Sequence, residues 1–265
     1  MTHLLLTNDD GIEAPGLQEL LVALHPLARV SVFAPDHNWS AAGHTKTMHK
    51  PLRVTRYPLS LSAGVDPAGD DEVEAYTTTG APSDCVALAL LGILPEKPDL
   101  VVSGINQGAN LGHDLTYSGT VAAAMEAVIS GLPGIAVSLD SFESQDFAFA
   151  ARVTARIVEQ VLARGLPPGT MLNVNVPSCP ADQVKGVAIT RLGRRLYRDV
   201  LVERRDPRGR PYYWIGGEPP SGHPDEGTDI WAMASGFVSV TPLHLDMTAY
   251  ELVPELEAWP LDDIV

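Results

Sequence analysis

Two adjacent aspartates near the N-terminus, Asp9 and Asp10, are the side chains whose type and position point most directly to chemistry. They follow the apolar run Leu4–Thr7, which is too short for a helix and predicts a buried strand. Neighbouring carboxylates repel each other unless a cation or a proton separates them, and such hard oxygen ligands suit Mg²⁺ or Mn²⁺. The pair therefore predicts a divalent-metal site at the end of the first strand, with a solvated Asp-Asp turn as the alternative.

A second polar segment, Ser103–Gly112, follows another apolar strand pattern and contains three glycines and two asparagines. Glycines let a backbone approach a ligand closely, and Asn106 and Asn110 can bind a metal or a phosphate as neutral groups. Neither Gly-x-Gly-x-x-Gly nor a P-loop with its lysine is present, so no nucleotide fingerprint applies. The segment indicates a binding loop, with a structural turn as the alternative. The stretch 34–40, which includes Ser40, is by itself more typical of a plain turn.

A third segment, Tyr117–Thr120, directly precedes a helix pattern that begins at Val121. Free N–H groups at a helix start bind anions, and Gly119 allows close approach. No Glu or Gln follows Ser118 or Thr120 at the spacing of a capping box, which leaves both hydroxyls available to a ligand. A simple N-cap by either residue is the alternative. An anion cradle beside a metal site suggests phosphoester hydrolysis.

Strand and helix patterns alternate over most of the chain, which predicts a Rossmann-like α/β fold: a mostly parallel sheet with helices on both faces. The predicted strands are 4–7, 29–34, 53–56, 73–79, 100–103, 135–139 and 171–176, and the predicted helices are 15–24, 82–91, 121–129 and 147–162. Ligands bind at the carboxyl ends of such strands, so the polar loops are expected at one edge of the sheet.

After residue 187 the alternation of strand and helix patterns gives way to strand patterns alone. Strands at 187–192, 200–204 and 212–215 flank a turn at 206–209, and eight of the 18 basic residues lie between Arg191 and Arg210. Because an isolated hairpin is only marginally stable, we expect a C-terminal β-hairpin arm used for oligomerisation, with an ordinary solvated hairpin as the alternative. The predicted organisation is an α/β core over 1–186, the arm over 187–228, and a return to the core over 229–265 with a strand at 237–243 and a helix at 249–259.

The composition excludes some classes of partner. The net charge of the 265 residues is −15, which argues against a nonspecific grip on polymeric nucleic acid or an anionic membrane. No apolar run approaches the ~20 residues of a membrane span, and the chain opens directly on a predicted core strand, so we expect a cytoplasmic protein. Cys85 and Cys179 lie far apart in apolar surroundings and predict buried thiols rather than a disulfide or a metal site.

Taken together, these motifs resemble the survival protein E (SurE) family of phosphatases. The resemblance rests on Leu4–Ile12, Ser103–Asn110, Tyr117–Val121 with Ala124–Ala127, Gly80–Val86 and Val238–Leu243, and it spans nearly the whole chain. It implies a metal-dependent 5′/3′-nucleotidase that hydrolyses nucleoside monophosphates, and some members also trim short polyphosphate. It also implies a homodimer or homotetramer formed through an exchanged C-terminal arm.

The resemblance further implies a role for each candidate side chain. One divalent ion per subunit, Mg²⁺ or Mn²⁺, is expected on Asp9, Asp10, Ser40 and Asn106, and a phosphate cradle on Asn110, Ser118, Gly119 and Thr120. Asp9 and Asp10 are the expected catalytic residues, acting through metal-activated water without a covalent phosphoenzyme. The acid that protonates the leaving group is open among His44, His113 and His244.

Three other classes of protein share some of these features. A haloacid-dehalogenase-type phosphatase also has an aspartate after its first strand, but the run Asn8–Ile12 lacks its second, spaced carboxylate. A signalling receiver domain has an acidic pair there but needs an aspartate where this chain has Ser103–Asn106. A non-catalytic nucleotide-binding protein is the third alternative.

Overall fold

The computed structural model describes residues 2–59, 73–217 and 221–261. Nine strands in this part of the chain form one sheet, in the order β3-β4-β2-β1-β5-β6-β7-β13-β8. They are β1 (His3–Thr7), β2 (Arg29–Pro35), β3 (Val54–Arg56), β4 (Glu74–Thr78), β5 (Leu100–Gln107), β6 (Gly134–Asp140), β7 (Thr170–Pro177), β8 (Val187–Ile189) and β13 (Val238–His244). The strands from β4 to β7 in this order are parallel, whereas β3 pairs antiparallel with β4 and β13 with β7.

Helices cover both faces of the sheet, as predicted. They are α1 (Pro15–Leu24), α2 (Pro82–Leu88), α3 (Gly119–Ile129), α4 (Ala148–Arg164), α5 (Asp229–Ala234) and α6 (Val253–Glu257). Because side chains alternate along a strand, Leu4 and Leu6 join the core that packs under α1 and α4, while Leu5 joins the core under α2 and α3. Burial on both faces explains why the centre of β1, Leu4–Leu6, is a continuous apolar run.

Several predicted elements have different bounds. The helix predicted over 82–91 ends at Leu88 and continues as a π-helical turn, Ala89–Ile93. The strand predicted to stop at Ser103 continues to Gln107, through a register shift against β6 between Ser103 and Asn106. Asn106 therefore lies on a strand and not in a loop. The helix predicted over 249–259 is confined to α6, which is exposed at every residue, so no core contact extends it.

The hairpin arm forms as β10 (Asp199–Arg205) and β11 (Pro211–Gly217), and the short strands β9 (Arg195–Leu196) and β12 (Ser221–Gly222), which flank it in the chain, pair with each other. Asp206 Oδ1 accepts hydrogen bonds from the backbone N–H groups of Arg208 and Arg210 and closes the turn. The arm was predicted to start at residue 187, but β8 pairs with β13 in the main sheet. The excursion from the sheet therefore begins after Ile189.

The two cysteines differ in burial. Cys85 is a free, fully buried thiol, and burial raises its pKa well above the ordinary value. Cys179 is also free but partly exposed, so its predicted burial was wrong. In the described ranges, no helix is both long and apolar enough to cross a membrane.

Candidate active site at the carboxyl edge of the sheet

The aspartate pair lies at the end of the central strand β1, between the ends of β2 and β5. Asn8 shapes this turn: its Nδ2 donates to the Gly11 carbonyl at 2.8 Å and its Oδ1 accepts from the Gly11 N–H at 3.2 Å. The Asp9 carbonyl accepts from the Trp39 N–H at 2.7 Å, which draws the loop after β2 to the same point. Asp9 is only 3% exposed, so its carboxylate is removed from bulk water.

The start of α3 packs directly against Asp9. Thr120 Oγ1 donates to Asp9 Oδ1 at 2.5 Å, and a Cβ at Gly119 would lie 2.7 Å from the Asp9 Cβ. Burial raises the pKa of Asp9, although the Thr120 hydroxyl and the backbone N–H groups of Gly119 and Thr120 oppose that rise. The positive end of the helix thus already holds one anion, the Asp9 carboxylate.

Asp10 is held by the loops on either side of it. Its Oδ1 accepts from Asn38 Nδ2 at 3.0 Å, and its Oδ2 lies 3.4 Å from the Gln107 backbone nitrogen. Burial and then the neighbouring charge of Asp9 raise the pKa of Asp10 to about 6. Both carboxyl groups therefore resist ionising together in the bare protein, and a bound cation would relieve that repulsion.

A cleft of about 320 Å³ opens beside the pair. Five of the predicted site residues line it: Asp9, Ser40, Asn106, Asn110 and Ser118. The other three predicted site residues, Asp10, Gly119 and Thr120, contact residues that line the cleft. Asp10 lies against Gln107, while Thr120 donates a hydrogen bond to Asp9 and Gly119 packs against it. The parallel strands thus bring all the predicted side chains to one place, while the role of each stays a prediction.

The hydroxyls at the start of α3 are more engaged than expected. Ser118 Oγ accepts from the Val121 N–H at 3.2 Å and caps the helix, but its O–H can still donate to a ligand in the cleft. The Thr120 hydroxyl donates to Asp9. Asn106 Nδ2 donates to the Gly108 carbonyl at 2.7 Å. That bond leaves the Asn106 amide oxygen, the atom that a hard cation binds, for a ligand.

Two buried asparagines on β7, which sequence reasoning missed, fix Asn110. Asn175 Oδ1 accepts from the Asn110 N–H at 2.8 Å, and the side-chain amides of Asn173 and Asn175 both donate to the Asn110 carbonyl. Asn110 Nδ2 donates to Ser138 Oγ on β6 at 2.8 Å. The sequence does carry a signal for this role: two asparagines alternate within the apolar stretch 171–176. Buried amides need hydrogen-bond partners, so such a pair indicates a structural contact.

The loop that carries Ser40 is anchored by Glu126, a second residue that sequence reasoning missed. Lys46 Nζ donates to Glu126 Oε1 at 2.7 Å, and His44 Nε2 lies 3.2 Å from Glu126 Oε2. Burial alone would raise the pKa of Glu126, but the hydrogen bonds from His44 and Lys46 hold it below its ordinary value. The sequence signal for this anchor was the one glutamate within the otherwise apolar helix α3, because a buried carboxylate needs partners.

A second buried carboxylate, Asp84 at the start of α2, holds the same loop further along. Its Oδ1 accepts from the Thr47 N–H at 2.9 Å and its Oδ2 from the Thr47 hydroxyl at 2.7 Å. Asp84 Oδ2 also accepts from the Ala81 N–H at 2.9 Å, which satisfies a free donor at the helix start. The Ser40 loop is thus fastened to two helices.

None of the three histidines proposed as a general acid lines the cleft. His44 is engaged with Glu126, and His113 is exposed on the 3₁₀ helix Gly112–Tyr117. β13 runs antiparallel to β7, so its last residue, His244, pairs with Thr170 at the opposite edge of the sheet. Among the described residues that line the cleft, no side chain is a histidine.

Replacing Glu126 with glutamine is expected to destabilise the protein by about 1–2 kcal/mol at pH 7, since charge-assisted hydrogen bonds to a buried group are lost. The folded-state pKa of Glu126 is lowered, so this contribution is present above the ordinary glutamate pKa and disappears as the pH falls through the folded value. Thermal unfolding of both proteins between pH 3 and pH 8 should show Tm values that converge in acid. Glu159→Gln, at an exposed pair with Arg156, is the matched control and should change little.

Comparison with known proteins identifies the family. The family described as "Survival protein SurE" matches residues 4–199. The "5'-nucleotidase SurE" of Chloroflexus aggregans is 50% identical over 259 residues, covering 97% of this chain and 98% of that protein. The "5'-nucleotidase SurE" of Herpetosiphon aurantiacus is 50% identical over 256 residues, covering 96% of each.

A solved structure agrees with these relatives. The SurE protein from Aquifex aeolicus superposes with a TM-score of 0.80 at 42% identity, covering 96% of this chain and 98% of that one. Agreement in sequence and fold over nearly the full length excludes the haloacid-dehalogenase and receiver alternatives. The resemblance drawn from the motifs is confirmed, and the chain belongs to the SurE family.

Proposed function

We propose that the protein is a metal-dependent phosphomonoester hydrolase that releases phosphate from nucleoside 5′- and 3′-monophosphates, with short polyphosphate as a further substrate. The observation that carries the proposal is the Asp9–Asp10 pair, two carboxyl groups with raised pKa values at the wall of an open cleft. The names of the relatives, which are 5′-nucleotidases, support the nucleotide as substrate.

The residues present fit one Mg²⁺ or Mn²⁺ ion per subunit. The expected ligands are Asp9, Asp10, Ser40 and Asn106, which offer carboxylate, hydroxyl and amide oxygens, the hard donors that these ions prefer. The described residues contain no cluster of three or more His, Cys, Asp or Glu, so the neutral donors are needed to complete a site. A bound cation supplies positive charge against the phosphoryl oxygens and lowers the pKa of a water molecule.

The chain's own residues orient the phosphate and handle the proton. Asn110 and Ser118 line the cleft and contact the phosphoryl group. Gly119 and Thr120 complete the cradle indirectly, because their N–H groups hold the Asp9 carboxylate that faces it. One carboxylate of the pair accepts the proton of the attacking water. The water oxygen bonds to phosphorus as the ester P–O bond breaks, and the nucleoside oxygen leaves and takes a proton from solvent, which the proton on the carboxylate later replaces. No phosphoenzyme forms.

We also propose a homodimer or homotetramer assembled through the hairpin β10–β11. Its support is the exposed apolar surface of that hairpin: Val200, Leu201, Tyr213, Trp214 and Ile215 are all more than half exposed in the single chain. Isolated domains rarely leave such a patch uncovered. Sedimentation equilibrium should give a mass at least twice that of one chain.

Phosphate release from a panel of substrates tests the activity. The panel holds 5′- and 3′-monophosphates and short polyphosphate, each assayed with Mg²⁺, Mn²⁺ or EDTA. We expect hydrolysis of 5′-monophosphates with either metal, none in EDTA, and recovery when metal is restored. Tight nucleotide binding without phosphate release in any metal would instead support the non-catalytic alternative, and a trapped phosphoaspartate would contradict the direct attack by water.

A further inference from the structure

Three aromatic side chains stand at the wall of the cleft that holds Asp9: Tyr117, Phe142 and Tyr197. Tyr117 ends the 3₁₀ helix Gly112–Tyr117, Phe142 follows β6 and Tyr197 follows β9, and their exposed fractions are 65%, 83% and 45%. Within the described residues, none of the three is stacked on another aromatic ring. Such a concentration of open aromatic surface beside a polar cleft marks a binding site for a flat, apolar group.

The loop of Phe142 is held in place by β5. Gln107 Nε2 donates to the Phe142 carbonyl at 2.8 Å, and the phenyl ring lies against Gly108. A Cβ at Gly108 would come within 2.5 Å of the ring atom Cε1, and φ at this residue is +105°. Only glycine at position 108 therefore allows the ring to lie against this strand end at the wall of the cleft.

The ring of Tyr197 is fixed from the other side. Its hydroxyl donates to Asp114 Oδ1, while Asp114 Oδ2 accepts from Arg195 Nε at 2.7 Å. Partial burial and the bond to Asp114 raise the pKa of Tyr197 to about 12, so the hydroxyl keeps its proton and remains a donor. Asp114 also lines the cleft, so this anchored ring is part of its wall.

We propose that Tyr117, Phe142 and Tyr197 form the nucleobase site, on which the base of a nucleoside monophosphate stacks while its phosphate lies beside Asp9. The inference rests on the proposed function, because it takes the aspartate end of the cleft as the phosphate site. Every base presents a π-face, so stacking tolerates a change of base. The enzyme should therefore accept different bases yet discriminate strongly against sugar phosphates that lack one.

Steady-state kinetics with adenosine 5′-monophosphate and ribose 5-phosphate tests the site in the full-length protein with Mn²⁺. Phe142→Leu keeps an apolar side chain but removes the ring, and we expect kcat/KM for the nucleotide to fall at least about fivefold through KM. Its kcat/KM for ribose 5-phosphate should be unchanged, which is the internal control. Phe142→Tyr should restore the nucleotide reaction, and inhibition by adenosine should weaken in the leucine variant alone.

Some results would overturn the inference and leave the proposed function intact. These are equal kcat/KM of the wild-type protein for the two substrates, or an equal loss on both in Phe142→Leu. If the wild-type protein hydrolyses neither substrate, the proposed function fails instead. In that case, calorimetric titration with adenosine 5′-monophosphate tests the nucleobase site separately from catalysis. Binding that weakens in Phe142→Leu and recovers in Phe142→Tyr supports the site, and unchanged binding refutes it.

Discussion

Asp9→Asn and Asp10→Asn variants are each expected to lose phosphate release by at least about 10³-fold while remaining folded, because each removes a negative charge that the cation and the water proton require. Asparagine keeps the size of the side chain, and at position 9 its amide oxygen can still accept from Thr120. Since the change also removes one member of a repelling pair, the Tm in EDTA should stay level or rise.

The same variants separate loss of metal from loss of fold. Mn²⁺ should raise the Tm of the wild-type protein and leave the Tm of both variants unchanged, because ligand binding stabilises only a state that binds it. Asp36→Asn, at an exposed aspartate after β2 on the same sheet edge, is the matched control and should retain activity. Hydrolysis of adenosine 5′-monophosphate by the Asp9, Asp10 double variant with Mn²⁺ would refute the mechanism.

Gly119→Ala is expected to lower kcat about 10²-fold, although it adds a single methyl group. The new Cβ would lie 2.7 Å from the Asp9 Cβ and 3.2 Å from the Pro82 ring, so either Asp9 or the start of α3 must move. A displacement of this kind is enough to misplace a reacting group. Alanine favours helix more than glycine does, which offsets part of the steric cost to stability.

The measurement is kcat beside Tm, with Gly216→Ala as the matched control. A Cβ at Gly216, on the hairpin strand β11, meets no atom within 4 Å, so that variant should match the wild type in both quantities. Full activity in Gly119→Ala would show that the contact between α3 and Asp9 does not set the catalytic geometry. A loss of activity that only mirrors unfolding would also contradict the prediction.

The main features of the fold follow from patterns that are local in the chain. The short apolar run at Leu4–Thr7 predicts β1 to within one residue, and the proline and leucines of α1 predict that helix at its observed bounds. Parallel strands carry the loops at their carboxyl ends to one edge of the sheet, which is why the sequence alone predicts that side chains as distant as Asp9 and Asn110 lie together. The family motifs add the candidate roles of each side chain.

What sequence could not supply depends on contacts between distant segments. The residues next to Thr120 in the chain offer its hydroxyl no hydrogen-bond partner. The acceptor of its hydrogen bond is Asp9, which lies 111 positions away. The direction of β13 is set by its pairing with β7, and that pairing moves His244 away from the cleft. Glu126 becomes an anchor only because the loop with His44 and Lys46 folds over α3.

The anchoring of Tyr197 by Asp114 has a practical consequence for dissecting this enzyme. The segment that leads into the hairpin also builds one wall of the cleft, since Arg195 and Tyr197 both hold Asp114. Deleting residues 190–228 to obtain a monomer would remove that wall together with the arm. Inactivity of such a deletion would therefore say nothing about whether subunits must associate, and a monomer for that purpose needs substitutions confined to the hairpin tip.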